Sequence, residues 1–308
     1  MTVAHRTLVI VNPRSSGGGT SRRWRKLAGR LDDVFSDWSH AFTERPGHAT
    51  ELCRDALKSG VEMIVSVGGD GTINEVVNGF FDGDDPVCEQ PILGLLPSGT
   101  GGDFRKTWGL SRDANEAIER LKNGALRPVD VGRVRWTGDD GTPQMRYFAN
   151  IASFGMSALV CVGVNQSGKR LGGRLAFMEA SVRALLKYKP GTLRFDTDGT
   201  SRTEPVTVGA VAVGRFFGGG MMVAPDAEPN DGNFDVVAMG LGKLDLARMR
   251  SIYTGTHLSN PRISHWRGAA VDVEVATGGK VYIEGDGEVF GHLPARFETV
   301  PSAYRIKV

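Results

Sequence analysis

Apolar and polar residues follow two distinct periods over the first 130 positions. Thr7–Val11 (TLVIV), Met63–Val67 (MIVSV) and Ile92–Leu96 (ILGLL) are short apolar runs without a polar face, as expected of strands buried on both sides of a parallel sheet. Helical stripes lie between them. Trp24, Leu27, Ala28 and Leu31 fall at i, i+3, i+4 and i+7. Ala49, Leu52, Cys53, Ala56 and Leu57 repeat that spacing up to Gly60, which is suited to close a helix. Ile73, Val76, Val77 and Phe80 make a third stripe. Asp113 with Glu116 has capping-box spacing and opens a fourth helix ending at Gly124. Strand and helix in alternation predict an α/β unit with an open, Rossmann-like parallel sheet.

Beyond Asp130 the pattern changes. Val129–Trp136, Tyr147–Ile151, Leu193–Phe195, Val206–Val213, Phe234–Ala238, Val271–Val275 and Val281–Glu284 read as strands parted by turn residues. Only Leu175–Tyr188 and Leu244–Tyr253 have helical spacing. A mainly antiparallel β domain follows, with the boundary at residues 126–131.

Composition narrows the class. A net charge of +2 is too mild to argue for nucleic acid. Three scattered cysteines, Cys53, Cys88 and Cys161, suit a reducing compartment and no structural zinc. Met1–Val11 lacks the pattern of a signal peptide. Pro205–Ala224 is apolar, but its Arg215, five glycines and valine-rich texture make it strands instead of a membrane helix. A cytoplasmic protein is expected, with any membrane contact peripheral. The 42 glycines exceed the roughly 22 of ordinary usage. Fourteen of them cluster at 17–19, 68–71, 99–102, 218–220 and 285–287, which implies close backbone approach or repeated turns.

Three of these clusters follow predicted strands. Gly68-Gly69-Asp70-Gly71-Thr72-Ile73-Asn74-Glu75 runs from a strand into a helix, placing unsatisfied N–H groups and a positive helix end at the carboxyl edge of a sheet. Asp70 sits where it could meet a metal or a hydroxyl; the plainer reading is a tight turn with Asp70 capping. Pro97-Ser98-Gly99-Thr100-Gly101-Gly102-Asp103-Phe104 is a second loop, with Asp103 placed to cap the helix after it. Asn12-Pro13-Arg14-Ser15-Ser16-Gly17-Gly18-Gly19 is a third. Together they describe a cradle for nucleotide phosphate. Asp286-Gly287-Glu288 adds two carboxylates flanking a glycine, for which a solvated hairpin turn is the plain alternative.

The combination NPRSSGGG, GGDGTINEVVNG and PSGTGGDF resembles the catalytic domain of diacylglycerol kinases, sphingosine and ceramide kinases and bacterial soluble lipid kinases. APDA, DGNFD and DGE further along extend the resemblance over essentially the whole chain. It implies a nucleotide-binding domain over 1–130, a β-sandwich-like substrate domain over 131–296, a site between them, and a last strand near 297–308 returning to the first. It implies that Asn12, Pro13, Gly17, Thr43, Gly69, Asp70, Gly71, Thr72, Ile73, Asn74, Glu75 and Thr100 contact ATP, which carries Mg²⁺. Asp231, with the carbonyls of Glu228 and Asn233, resembles a structural Mg²⁺ or Ca²⁺ loop, for which an ordinary Asp-Gly turn is the alternative. Asp286 and Glu288 are both candidates for the proton acceptor, with Asp70 serving nucleotide and metal. The implied partners are a lipid substrate and a membrane surface; oligomeric state is open, a homodimer included.

Two departures stand out. Gly102 occupies a position where the family usually has Asn, and the first loop carries Ser16 or one extra residue. A near-Walker sequence, Gly163 to Arg170, has Arg where magnesium needs Ser or Thr and is set aside. The basic residues Arg22, Arg23, Arg25, Lys26 and Arg30 read as a solvated helix face, with anionic lipid as the sharper alternative. Expected activity is transfer of the γ-phosphoryl group to a lipid hydroxyl of diacylglycerol, phosphatidylglycerol or a sphingoid base. An NAD kinase is the enzymatic alternative, although its Asn-Glu pair lies further downstream than Asn74-Glu75. A non-catalytic lipid- or nucleotide-binding regulator is the other.

Overall fold

In the computed structural model, described for residues 3–98, 102–166, 188, 190–242, 245 and 250–308, the chain divides into two units. The first comprises Met1–Val131 with Pro301–Val308, the second Gly132–Val300. The sequence-based limits are 1–130 with about 297–308, and 131–296.

The first unit holds strands β1 (Thr7–Val11), β2 (Trp38–Phe42), β3 (Met63–Gly68), the short pair β4 (Phe81–Asp82) and β5 (Asp85–Pro86), and β6 (Ile92–Pro97). Its helices are α1 (Gly19–Leu31), α2 (His48–Lys58), α3 (Asp70–Gly79), α4 (Asp103–Thr107) and α5 (Ala114–Asn123). The parallel order is β2-β1-β3-β6, and Arg305 and Ile306 near the C-terminus pair in parallel with Ile92 and Leu93. Val9, Val11, Val65, Val67 and Leu96 pack with Trp24 and Leu31 of α1 and Ala117 and Leu121 of α5 on one face. Helices α2 and α3 pack together and against β1 and β3. Burial on both faces explains why β1 and β3 are uniformly apolar. Strand β2 escapes the sequence pattern because it is an edge strand, WSHAF, with no fully buried residue.

Helix ends obey local rules. Gly60 follows the C-cap of α2 with φ +88°. Asp113 caps α5 by accepting the N–H groups of Asn115 and Glu116, while its own N–H goes to Ser111 Oγ and not to Glu116 as a full capping box would have it.

The second unit contains β7 (Leu126–Thr137, begun in the first unit), β8 (Pro143–Phe148), β9 (Ile151–Gly155), α6 (Met156–Gln166), β10 (Gly191–Thr197), β11 (Thr200–Val206) and β12 (Val208–Ala212). There follow β13 (Phe216–Phe217), β14 (Met221–Met222), β15 (Phe234–Met239), β16 (Ile263–Gly268), β17 (Ala270–Thr277), β18 (Tyr282–Gly285), β19 (Glu288–His292) and β20 (Ala295–Lys307), whose end lies in the first unit. One antiparallel sheet runs β16-β15-β12-β9-β18-β19. Strands β11-β10-β17-β20 form another antiparallel run, and β7 pairs with β8. Phe148, Phe154, Phe195, Phe234, Trp266 and Phe297 from both sheets share one core, with Phe148 and Phe234 stacked at 5.8 Å. Ala210, Ala212, Val237 and Met239 pack into a second core against Val223, Ala227 and Ile252. Strands β9, β12 and β15 are therefore buried throughout.

Three expectations are corrected here. Tyr147–Ile151 is not one strand: β8 ends at Phe148, and β9 begins at Ile151 after a bend. Val206–Val213 breaks at Thr207, which separates strands of different sheets. Helix α6 had no predicted counterpart, because it is apolar nearly all round. Most of the two predicted helices, 175–188 and 244–253, lies outside the described residues; Arg250–Tyr253 is a 3₁₀ turn and Tyr188 is not helical. Among the described residues, no helix is long and apolar enough to cross a membrane.

Candidate active site

At the carboxyl edge of the parallel sheet the glycine loops are tied to one another. Asn12 Nδ2 donates to Thr72 Oγ1 at 3.0 Å, joining the loop after β1 to the start of α3. Thr72 in turn demands glycine at position 68, where a Cβ would stand 2.4 Å from Thr72 Oγ1. Buried Thr20 Oγ1 meets both Ser15 and Ser98, linking the first loop to the one after β6. Thr43 N–H donates to Val11 O at 2.9 Å, which holds Thr43 at the same edge. Ser16, Gly17 and Gly18 have φ of +56°, +63° and +86°, a left-handed turn leading into α1.

Asp70 is the main fastener. Its Oδ2 accepts the N–H groups of Gly102 at 2.7 Å and Asp103 at 3.1 Å, and its Oδ1 accepts that of Phe104 at 3.3 Å. These are the first amides of α4, so Asp70 caps a helix 32 residues away and neutralises its positive end. Asp103, expected to cap that helix, lies inside its first turn and pairs with Lys106 Nζ at 2.7 Å. Gly102 has φ +91°, and its contribution is a backbone N–H, so the contact with Asp70 does not depend on an Asn side chain there. Arg105 and Arg112 line a pocket with Asp70 and the Gly68–Gly69 backbone, placing cationic charge where a phosphate could rest. Burial, followed by repulsion from Arg112, lowers the pKa of Arg105; Asp70 and Asp103 oppose the change.

Not every residue in the expected ATP set faces these loops. Glu75 Oε2 accepts Ala49 N–H at 3.0 Å and caps α2. Asn74 is buried and receives Asn78 Nδ2. Thr100 lies outside the described residues.

In the second unit, β18 and β19 form a hairpin whose tip is Asp286-Gly287, with φ of +52° and +90°, the signature of a two-residue Asp-Gly turn. The hairpin reading thus holds, but Asp286, half-buried, is not left to solvent alone. It accepts the N–H groups of Ala149 (2.6 Å), Asn150 (3.0 Å) and Ile151 (3.1 Å), the amides of the bend between β8 and β9. Glu288, half-exposed, is ion-paired with Arg146. A third acid, Glu284, was not among the residues predicted from sequence. It is 2% exposed, receives Ser153 Oγ on one oxygen and Gly287 N–H on the other at 2.9 Å, and burial pushes its pKa up to about 7.

The expected metal loop is arranged differently. Asp231 Oδ1 accepts Asn233 N–H at 3.0 Å, and its other oxygen is ion-paired with Arg267. Arg267 also lies opposite Asp235 in the β15–β16 register and approaches its carboxylate at 3.4 Å. Burial, then Asp226 and Glu228, push the pKa of Asp235 up to about 6. The Asp231 carboxylate is thus engaged by the Arg267 guanidinium. Among the described residues, no three His, Cys, Asp or Glu side chains are grouped to hold a metal. The 218–220 glycines join β13 to β14 as a turn, all with positive φ.

Strand-loop-helix units on a parallel sheet, followed by an antiparallel unit that carries an acidic hairpin, make up the architecture of the NAD kinase and diacylglycerol kinase type. Residues 6–134 match the diacylglycerol kinase catalytic domain, and residues 150–308 match the YegS C-terminal NAD kinase beta sandwich-like domain. A diacylglycerol kinase of Bacillus subtilis is 30% identical over 95% of this chain and 92% of its own length. One from Staphylococcus haemolyticus is 28% identical over 94% and 84%. A crystal structure of a diacylglycerol kinase from Bacillus anthracis matches 100% of this chain and 98% of that one, with a TM-score of 0.72 and 20% identity. Yeast NADH kinase in complex with NADH shares the fold more distantly, with a TM-score of 0.56, 11% identity and coverage of 99% and 83%. The chain belongs to the diacylglycerol kinase family and is a kinase.

Proposed function

We propose that this kinase transfers the γ-phosphoryl group of ATP to the hydroxyl of a lipid such as diacylglycerol, phosphatidylglycerol or a sphingoid base. The observation that carries the reading is the fastening of the glycine loops by Asn12–Thr72, Thr20–Ser98 and Asp70 with the start of α4. Preformed amides cost no reorganisation when phosphate charge develops. Asn12, Pro13, Gly17, Thr43, Gly69 to Thr72 and Thr100 would line the nucleotide, and Ile73 and Asn74 would support them from within α3. Glu75 is assigned to α2 instead. Asp70 Oδ1 accepts a single amide, so Asp70 would hold a Mg²⁺ arriving with the nucleotide, which would supply charge neutralisation at the phosphates.

The lipid oxygen attacks the γ-phosphorus, the bond to the β-phosphate oxygen breaks, ADP leaves, and the hydroxyl proton passes to a carboxylate. Glu288 fits the acceptor role better than Asp286, whose oxygens hold three amides. A structural divalent ion is not part of the proposal. A membrane surface is the expected place of work, because the acceptor resides there.

The test is incorporation of labelled phosphate from ATP into a lipid extract, with the product identified by mass. Asp70→Ala and Glu288→Ala should each lower it by about 100-fold or more. Activity surviving both substitutions would overturn the residue assignment, and transfer to NAD instead of lipid would replace the acceptor.

A further inference from the structure

The Asp286–Glu288 turn is held from two sides. From outside its own hairpin, Asp286 is gripped by the amides of 149–151. From within, Glu284 Oε2 accepts Gly287 N–H, the amide between the two acids of the motif. The other oxygen of Glu284 is met by Ser153 Oγ, which lies 2.8 Å from Ser157 Oγ at the start of α6. Glu284, Ser153 and Ser157 are all buried, so this chain of polar groups has no easy access to water.

We propose that Glu284 is a positioning residue for phosphoryl transfer, bracing the turn that presents Glu288 through the Ser153–Glu284–Gly287 hydrogen bonds. The inference rests on the lipid-kinase reading only in that Glu288 is the proton acceptor. A buried carboxyl costs stability when ionised, and its retention beneath a functional turn calls for a compensating role. Glu284 also holds its proton into the neutral range, mainly through burial, while the hydrogen bonds from Ser153 and Gly287 favour the charged form. The titratable groups bearing on it are Asp286, which opposes its ionisation, and Cys161 of α6, whose own pKa is raised by burial first and by Glu284 second. Ionisation makes both hydrogen bonds charge-assisted and tightens the brace. The turn is therefore sensitive to pH near neutrality.

Glu284→Gln and Glu284→Ala are measured beside wild type for kcat and KM, from about pH 5 to about pH 9, with melting curves to show that each folds. Gln keeps an oxygen for Gly287 N–H but cannot ionise, so it should retain activity and lose the inflection near neutrality. Ala should lower kcat by about 100-fold, as misplacement of a reacting group does, with the KM for ATP unchanged. Wild-type kcat in Ala, or the same inflection in Gln as in wild type, overturns the proposal.

A second readout separates this from the function itself. With ¹³C-carboxyl glutamate, one resonance should titrate near neutrality and vanish in Glu284→Gln, and the Gly287 amide should follow the same curve. If no lipid is phosphorylated but this titration is found, the lipid-kinase reading fails and the brace stands. If every glutamate titrates in the ordinary range, the brace falls whatever the activity.

Discussion

Asp70 and Asp286 lie in different units, yet each carboxylate collects three backbone N–H groups. The surroundings separate them. Asp70 sits at the first turn of α3 and reaches the first turn of α4, so it couples two helix ends and two glycine loops. Its neighbours Arg105 and Arg112 are cationic. Asp286 sits in a left-handed turn and pins a hairpin tip to a strand bend, with two further acids, Glu284 and Glu288, within two residues. The same acceptor chemistry stands beside two arginines in one place and forms an acidic tip in the other. The carboxylates fasten backbone; the net charge around them decides what each place can bind.

The largest expected effect tests the first fastening. Asp70→Ala should lower phosphate transfer from ATP by about 100- to 1,000-fold, the scale seen when preorganised donors are lost. Amide exchange should accelerate at Gly102–Phe104 and stay unchanged at Ala149–Ile151. The reverse substitution, Asp286→Ala, should show the opposite exchange pattern and cost about 4 kcal/mol in denaturant unfolding, because three amides lose their acceptor. Equal exchange changes at both sites would show that the two fastenings are not separate.

A slightly smaller effect comes from Glu284, whose proton is held in the fold up to about 7 against a usual 4.5. The folded state binds that proton more tightly than the unfolded chain does. Its contribution is therefore complete below pH 4.5, declines as pH rises toward 7, and is gone above. At about 1.4 kcal/mol per pH unit the loss is about 3 kcal/mol, and Glu284→Gln should remove that slope from unfolding free energies measured across the interval. The smallest effect belongs to Thr72→Val, which takes the acceptor from Asn12 Nδ2. It should cost about 1 kcal/mol in stability and raise the KM for ATP severalfold, with kcat little changed.

Much of the first unit was legible along the chain. Uniform burial of β1, β3 and β6 leaves an apolar run, and α1, α2, α3 and α5 carry their stripes because each has one covered face. Edge strand β2 left no such trace, and α6 none of helical period. In the second unit the break of the Tyr147–Ile151 run could not be read locally. It is the place where Ala149, Asn150 and Ile151 turn their amides to an acid far along the chain. Asp231 illustrates the same point: the family resemblance implied a cation there, and the β15–β16 register placed Arg267 opposite Asp235, within reach of the Asp231 carboxylate.

What the sequence by itself determined was the alternation of strand and helix, the ends of the helices, and the glycine loops at one edge of a parallel sheet. Those features depend on neighbours within a few residues, where steric and hydrogen-bonding preferences act directly. Only the tertiary structure decided the work of each carboxylate. Asp70 finds its amides 32 to 34 residues away and Asp286 finds its own 135 to 137 away, while Glu284 acquires its proton affinity from burial. An acid's role depends on which donors and how much water surround it, and those are set when distant segments pack.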